Sequence, residues 1–350
     1  LVRDQEVASS NLVAPTILIE ISFTFRVKLT GNHPMTHPAA KNRSLKDCAG
    51  ITGVGIAMGA ADVVPGVSGG TMAFILGIYE ELLDTIKSVN LTFIKLVLSF
   101  KIKEALAHIN WKFLASLGLG LAISILSLAR VVTWLYEHQQ SLLFAFFFGL
   151  ILASIVVISS HVRWNLKTVA SLVAGTIIAY LIVRLVPVNM PKDPLTIFGC
   201  GAVAIMAMIL PGISGSFILL ILGQYHYVMS AVKGLDIMTL LPFMAGCATG
   251  LLGFARVLSW LLARYHQAVV SFLIGFMVGS LWKIWPFRTV LETMETSHGE
   301  LVPVRESIYF PGADLSVWLL PAVLCAIGFA VVYGMDRMQK KVAPDHPLGG

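Results

Sequence analysis

Two short breaks in apolar sequence hold the residues best suited to bind a ligand. Residues 61–83 read ADVVPGVSGGTMAFILGIYEELL, which sets an aspartate, a proline and three clustered glycines inside a run apolar enough to enter a bilayer. Residues 211–225 repeat the pattern as PGISGSFILLILGQY, at an offset of 146 (211 − 65). Proline ends an incoming helix because it lacks an N–H and clashes with the preceding turn. Glycine then permits close approaches that other residues forbid. Pro65, Gly66, Pro211 and Gly212 are thus the expected break points, and Ser68 and Ser214 the expected N-caps of new helices. Free N–H groups and serine hydroxyls in a low dielectric favour an anion such as phosphate. Ser68, Gly69, Gly70, Ser214, Gly215 and Ser216 are therefore the candidate phosphate ligands. The competing reading is a tight turn whose small residues serve helix packing.

Ionisable side chains inside apolar segments add a second set of candidates. Arg130 and Arg256 occupy matching places in ARVVTWL (129–135) and ARVLSWL (255–261), at an offset of 126 (256 − 130). A guanidinium binds phosphate through a planar fork of donors. Equally, each arginine lies close enough to its span end to snorkel, with Trp134 and Trp260 one turn on as interfacial anchors. Asp62 and Glu80 break the symmetry, since the matching positions hold Met208 and His226. Asp62 either carries a coupling proton or pairs with an arginine. Glu81, Asp84, His138, Arg184 and His266 are expected at interfaces.

The elements that position these residues follow from composition. The chain of 350 residues is 57% hydrophobic and 13% charged, against roughly 25% charged in soluble domains, and its mean hydropathy is +0.82. Apolar runs of about 20 residues, enough to cross a ~30 Å core, recur throughout. They do not alternate at period two, which argues against a β-barrel. The net charge of +6 is scattered over short connections and forms no nucleic-acid-binding stripe. Cys48, Cys200, Cys247 and Cys325 show no metal-ligand spacing and read as small apolar packers. No metal site and no nucleophile with an acid/base partner is evident, so an enzyme is not expected.

The two motifs divide the chain into related halves, 48–190 and 191–337. Residues 1–47 form an N-terminal extension and cytoplasmic lead-in, and 338–350 a cytoplasmic tail. Residues 1–34 lie outside the repeat pattern and are expected to be a dispensable extension or a misassigned start. Each half supplies three full crossings, near 113–135, 141–160 and 168–187, then 239–262, 268–284 and 315–335. If each motif is a hairpin that enters and leaves on one side, an odd number of crossings inverts the second half. Basic clusters agree: Lys41, Arg43 and Lys46 before the first motif, Lys87, Lys95, Lys101, Lys103 and Lys112 after it, and Arg337, Lys340 and Lys341 at the end all fall inside. The acidic loop 285–314 then falls outside. The segment 91–110 has no full counterpart and reads as an interfacial amphipathic piece. A pair of thin crossings or one kinked span per motif are the alternatives. The expected architecture is an all-α polytopic membrane protein of two inverted repeats, each a re-entrant helical hairpin plus three transmembrane helices.

GIAMGAADVVPGVSGGTMAFILGIYEELL, with its second PGISGS copy, resembles the signature of the polyprenyl-phosphate translocases called PopT, over about residues 50–337. The resemblance implies transport of undecaprenyl phosphate, a C55 lipid carrier, from the outer to the inner leaflet of the bacterial cytoplasmic membrane for reuse in envelope glycan synthesis. It points to Asp62, Pro65, Gly66, Ser68, Gly69 and Gly70, and to Pro211, Gly212, Ser214, Gly215 and Ser216. The carrier and membrane lipids are the expected partners, with no nucleic acid; no cofactor is expected, and proton or sodium coupling is left open as an addition outside the resemblance. The rival reading is an ion-coupled transporter of a small soluble anion.

Overall fold

A computed structural model describes residues 43–63, 67–185, 188, 190–295, 301–312 and 315–342. Ser44 and Asp47 cap each other's backbone N–H groups (3.0 and 3.2 Å) and open α1, Leu45–Val63. After a break come α2, Gly69–Ile75, and α3, Tyr79–Ser88, joined at Gly77, whose φ of 72° suits glycine. Two short helices follow, α4, Leu91–Leu98, and α5, Ile102–His108. They leave Leu91, Leu98 and Phe100 exposed.

The next span begins as α6, Trp111–Ile123, passes through a π-helical turn at Ser124–Leu128, and ends as α7, Ala129–His138. Then come α8, Gln140–Ser159, and α9, Leu166–Val183, the latter opened by an Asn165–Thr168 capping box. The second half starts with α10, Pro194–Ile209, capped by Asp193 with proline in its first turn. Another break leads to α11, Gly215–Ile221, and α12, Tyr225–Gly234, which meet at 113°. α13 runs from Ile237 to Ser280 with one non-helical residue, Tyr265. α14 is Leu315–Val342.

Helix boundaries repeat as the sequence does. α2 and α3 shifted by 146 residues coincide with α11 and α12. Shifting Gln139, between α7 and α8, by 126 gives Tyr265, and the two share a backbone conformation (φ −138°, ψ 42° against φ −134°, ψ 41°). The expected spans 239–262 and 268–284 are therefore joined by a single kinked residue and not by a loop.

The structure is mostly helical, as expected; within the long loop 285–314, β1, Arg288–Glu295, pairs antiparallel with β2, Leu301–Ile308. β1 carries the β-branched residues Thr289, Val290 and Thr293, and β2 carries Val302 and Val304, which suit an extended backbone. Residues 296–300, between the strands, lie outside the described residues.

Among the described residues, five helices are long and apolar enough to cross a membrane: Trp111–Leu128, Gln140–Ser159, Leu166–Val183, Ile237–Ile284 and Leu315–Arg337. Their exposed faces carry side chains such as Ile177, Leu181, Leu319 and Val323. This is a multi-pass membrane protein. Lipid tails are as apolar as leucine, so helices must be held by close packing. α1 lies along α6, where a Cβ at Gly55 would strike the Leu117 carbonyl and one at Gly120 the Thr52 carbonyl. α10 lies along the first part of α13 and α9 along its second part, while α8 lies along α14. The last long helix of each half thus packs on a helix of the other.

Candidate functional site

The two breaks meet. α10 ends at Ile209, and the last carbonyls of a helix have no partner within it. Groups of the first hairpin supply partners: Ser68 Oγ donates to the Met208 carbonyl (3.0 Å) and the Tyr79 hydroxyl donates to the Ile209 carbonyl (3.0 Å). In return the Gly212 N–H donates to Thr71 Oγ1 (2.8 Å). Gly212 sits at φ 100°, where glycine is favoured, and a Cβ there would lie 2.5 Å from Ser280 Oγ. An unpaired buried carbonyl costs about 1–3 kcal/mol, so this three-bond seam couples the halves strongly.

The first tip is closed. Ser68 N-caps α2, accepting from the Gly70 N–H (3.1 Å), and Ser68, Gly69 and Gly70 are all buried. The Gly69 N–H donates to Asp62 Oδ1 (2.6 Å). Asp62 therefore pairs with the helix N-terminus and not with an arginine, and its carboxylate occupies a donor expected to face an anion. A Cβ at Gly69 would lie 2.5 Å from Asp62 Oδ2, and one at Gly70 would lie 2.5 Å from the Met208 carbonyl oxygen. Pro65 and Gly66 lie outside the described residues.

The second tip is more open. α11 folds back on α10, placing Gly215 against the Ala204 carbonyl. Ser214 accepts from the Phe217 N–H (3.2 Å) and its hydroxyl meets that of Ser216 (2.8 Å). Pro211, Gly212 and Ser214 are buried, Gly215 is half-buried and Ser216 is exposed.

The arginines stand apart from both tips. Arg256 Nη1 bonds the Leu252 carbonyl of its own helix (2.8 Å), and Nη2 bonds the Val89 carbonyl (3.1 Å) just past the end of α3. α3 spans ten residues, so about 15 Å of helix separates that contact from Tyr79 at the seam. A guanidinium there caps a helix C-terminus, where cations are favoured. Arg130 is exposed on α7 and has no hydrogen bond among the described residues. Glu80 bonds His266 (2.9 Å), beside the Tyr265 kink. Nearby, Glu81 accepts from Asn110 (2.9 Å) and pairs with Arg43, while Ser259 bridges α13 to Asp84 (3.2 Å).

A family model described as undecaprenyl phosphate translocase-like matches residues 58–302, which include both breaks. The chain belongs to that family. It is 42% identical over 294 residues to a polyprenyl-phosphate transporter of Vibrio cholerae, covering 82% of this chain and 96% of the relative. A polyprenyl-phosphate transporter of Staphylococcus aureus is 31% identical over 255 residues, covering 66% of this chain and 84% of that one. No solved structure gives a significant match. The family and these relatives are transporters, in keeping with the non-enzymatic reading of the sequence.

Sequence reasoning missed four polar residues of this region. Thr71 and Tyr79 complete the seam; Tyr79 belongs to the repeated LGxY pattern, but only the fold supplies its partner. Ser124, at the start of the π-helical turn, is fully buried against Gly59, and its hydroxyl has no hydrogen bond among the described residues. Lys283, just beyond α13, lies with its ammonium 4.8 Å from the centre of the Phe217 ring.

Proposed function

We propose that this chain moves a polyprenyl phosphate, undecaprenyl phosphate in particular, from the outer to the inner leaflet of the bacterial cytoplasmic membrane, returning the carrier for envelope glycan synthesis. The observation that carries this reading is the seam at which two serine-capped breaks face each other across the halves. Discontinuous helices meeting in the membrane interior form the substrate region of many inverted-repeat transporters. The matching boundaries at offsets of 146 and 126 support two inverted repeats, 48–190 and 191–337, with re-entrant hairpins and with α13 counted as two crossings. The positions of the basic residues support cytoplasmic termini.

The chemistry suits this cargo. A monophosphate head needs donors shielded from lipid, whereas a C55 tail gains nothing by leaving it. The head passes along the seam between the tips while the tail stays in the bilayer. Arg130, toward the outer leaflet, and Arg256, beside Lys87 and Val89 toward the inner one, receive the phosphate before and after the seam.

Asp62 is the residue we assign to coupling. Its carboxylate holds the Gly69 N–H that a phosphate would use, and two anions at one donor repel. Neutralising Asp62 with a proton or sodium ion frees that donor, which ties loading of the first tip to cation uptake.

The decisive experiment reconstitutes the protein in liposomes carrying a fluorescent polyprenyl phosphate in one leaflet and follows its appearance in the other. Protein-dependent equilibration, abolished by excess polyprenyl phosphate and not by inorganic phosphate, is expected. Accumulation of soluble phosphate inside the vesicles with no lipid movement would establish the small-anion reading instead. In cells, removing the protein should raise surface-exposed undecaprenyl phosphate when other recyclers are absent.

A further inference from the structure

The charges beside the two tips are opposite, and this difference assigns a headgroup residue that neither motif contains. Next to the first tip stands the Asp62 carboxylate, 2.6 Å from the Gly69 N–H. The matching residue of the second hairpin, Met208, is uncharged. Next to the second tip stands Lys283, whose Nζ lies 4.8 Å from the centre of the Phe217 ring. Phe217 is in the first turn of α11, and its N–H is bonded to Ser214 Oγ (3.2 Å). Shifting Lys283 back by 126 gives Val157, which is buried, so the first hairpin has no equivalent cation.

Three features hold Lys283 at the second break. Ser280, one turn before Lys283, packs against Gly212 of the break. The Leu281–Ile284 turn that carries Lys283 continues directly from α13. The Phe217 ring then attracts the cation through its negative face. Ser216 is exposed beside this arrangement, with its hydroxyl 2.8 Å from that of Ser214. An ammonium with two hydroxyls is a recognition set for a phosphate monoester. The lysine acts as a point charge and the serines as adaptable donors.

We infer that Lys283, with Ser214 and Ser216, binds the phosphate headgroup at the second hairpin, so that the second tip receives the headgroup without the cation that the first requires. This assignment rests on the polyprenyl-phosphate reading above. It gives the tips separate tasks. The second admits the anion beside a lysine. The first excludes it until Asp62 is neutralised.

The test compares Lys283→Gln and Lys283→Arg in the full-length protein in nanodiscs, with a short-chain polyprenyl phosphate and the matching neutral polyprenol as probes. The unaltered protein should prefer the phosphate. Lys283→Gln should weaken phosphate binding by about tenfold or more, the scale of one charge-assisted hydrogen bond, and leave polyprenol binding unchanged. Lys283→Arg should stay within about threefold of the unaltered protein. A purely structural lysine would affect both lipids alike, and thermal unfolding of each variant identifies any loss of fold. Unchanged phosphate preference in Lys283→Gln overturns the assignment, as does equal loss in the Arg and Gln variants. If the unaltered protein binds neither lipid, the substrate reading itself falls and the lysine's role falls with it.

Discussion

The first and second hairpins share a backbone and differ in what their side chains do with it. Each has a serine N-cap, a seven-residue helix, a left-handed glycine (Gly77, φ 72°; Gly223, φ 66°) and a ten-residue helix. In the first, Ser68, Thr71 and Tyr79 all reach across to the second, and Asp62 occupies the Gly69 N–H. In the second, Ser214 bonds, among the described residues, only within its own hairpin, and Ser216 stays exposed. Duplication supplies two equivalent frames. Divergence of a few polar residues has made one frame a clamp and left the other accessible.

Exchanging the small residues that separate the two tasks should give the largest effect. Gly70 corresponds to Ser216. A Cβ at Gly70 would meet the Met208 and Ile209 carbonyl oxygens at 2.5 and 2.8 Å, and backbone cannot retreat as a flexible side chain can. Gly70→Ser should therefore part the seam, destabilise the protein by about 1–3 kcal/mol and slow lipid movement by about tenfold or more. Ser216→Gly should leave stability nearly unchanged. Equal stability losses would mean that the tips are equivalent after all.

Asp62 tests whether the first tip is held shut by charge. Asp62→Asn keeps an acceptor for the Gly69 N–H but removes the negative charge. Transport should lose its dependence on proton or sodium concentration while the fold persists. Asp62→Ala also removes the acceptor and should cost about 1 kcal/mol more, as loss of an N-cap does. A cation dependence that survives Asp62→Asn would move coupling to another residue.

Tyr79 and Tyr225 occupy matching places and offer a finer comparison. Tyr79 is buried and bonds the Ile209 carbonyl. The Tyr225 hydroxyl has no hydrogen bond among the described residues, and its ring packs on His226. Tyr79→Phe should lower stability by about 1–3 kcal/mol by leaving a carbonyl unpaired, whereas Tyr225→Phe should change it by less than about 0.5 kcal/mol. Thermal unfolding monitored by tryptophan fluorescence separates the two.

How much of this was legible in the sequence depends on the range of each interaction. Local chemistry was readable: proline and glycine mark the breaks, serine marks the caps, and both caps form within three residues. The repeat was readable because it preserves residue types at fixed offsets. The seam was not, since Ser68 and Met208 are 140 residues apart and nothing local distinguishes a tyrosine that bonds a distant carbonyl from one at an interface. Arg256 has a phosphate-binding side chain, but its observed partners, the Leu252 and Val89 carbonyls, depend on how α3 crosses α13. Lys283 at the end of a span looks like any interfacial lysine until Phe217 is placed beside it. The β-hairpin was hidden because neither strand keeps a period-two alternation within the charged stretch 285–314.

The smallest expected effect lies at the helix starts that feed each hairpin's neighbouring span. In the second half Asp236 caps α13, bonding the Met238 and Thr239 N–H groups and accepting from the Thr239 hydroxyl (2.7 Å). Its first-half counterpart is Asn110, which donates to Glu81 and does not cap α6. The Thr239 hydroxyl bond, chiefly, holds the Asp236 carboxyl below its ordinary value of 3.8. A carboxylate whose pKa is depressed on folding stabilises the helix start above the unfolded value, and this contribution is lost as pH falls through the folded value. Acidification below about pH 4 should therefore loosen the first turn of α13 and leave that of α6 unaffected. Hydrogen exchange, corrected for intrinsic rates, measures it: protection at 237–240 should fall with pH relative to 111–114. Asp236→Asn should abolish the difference, because an amide caps without titrating.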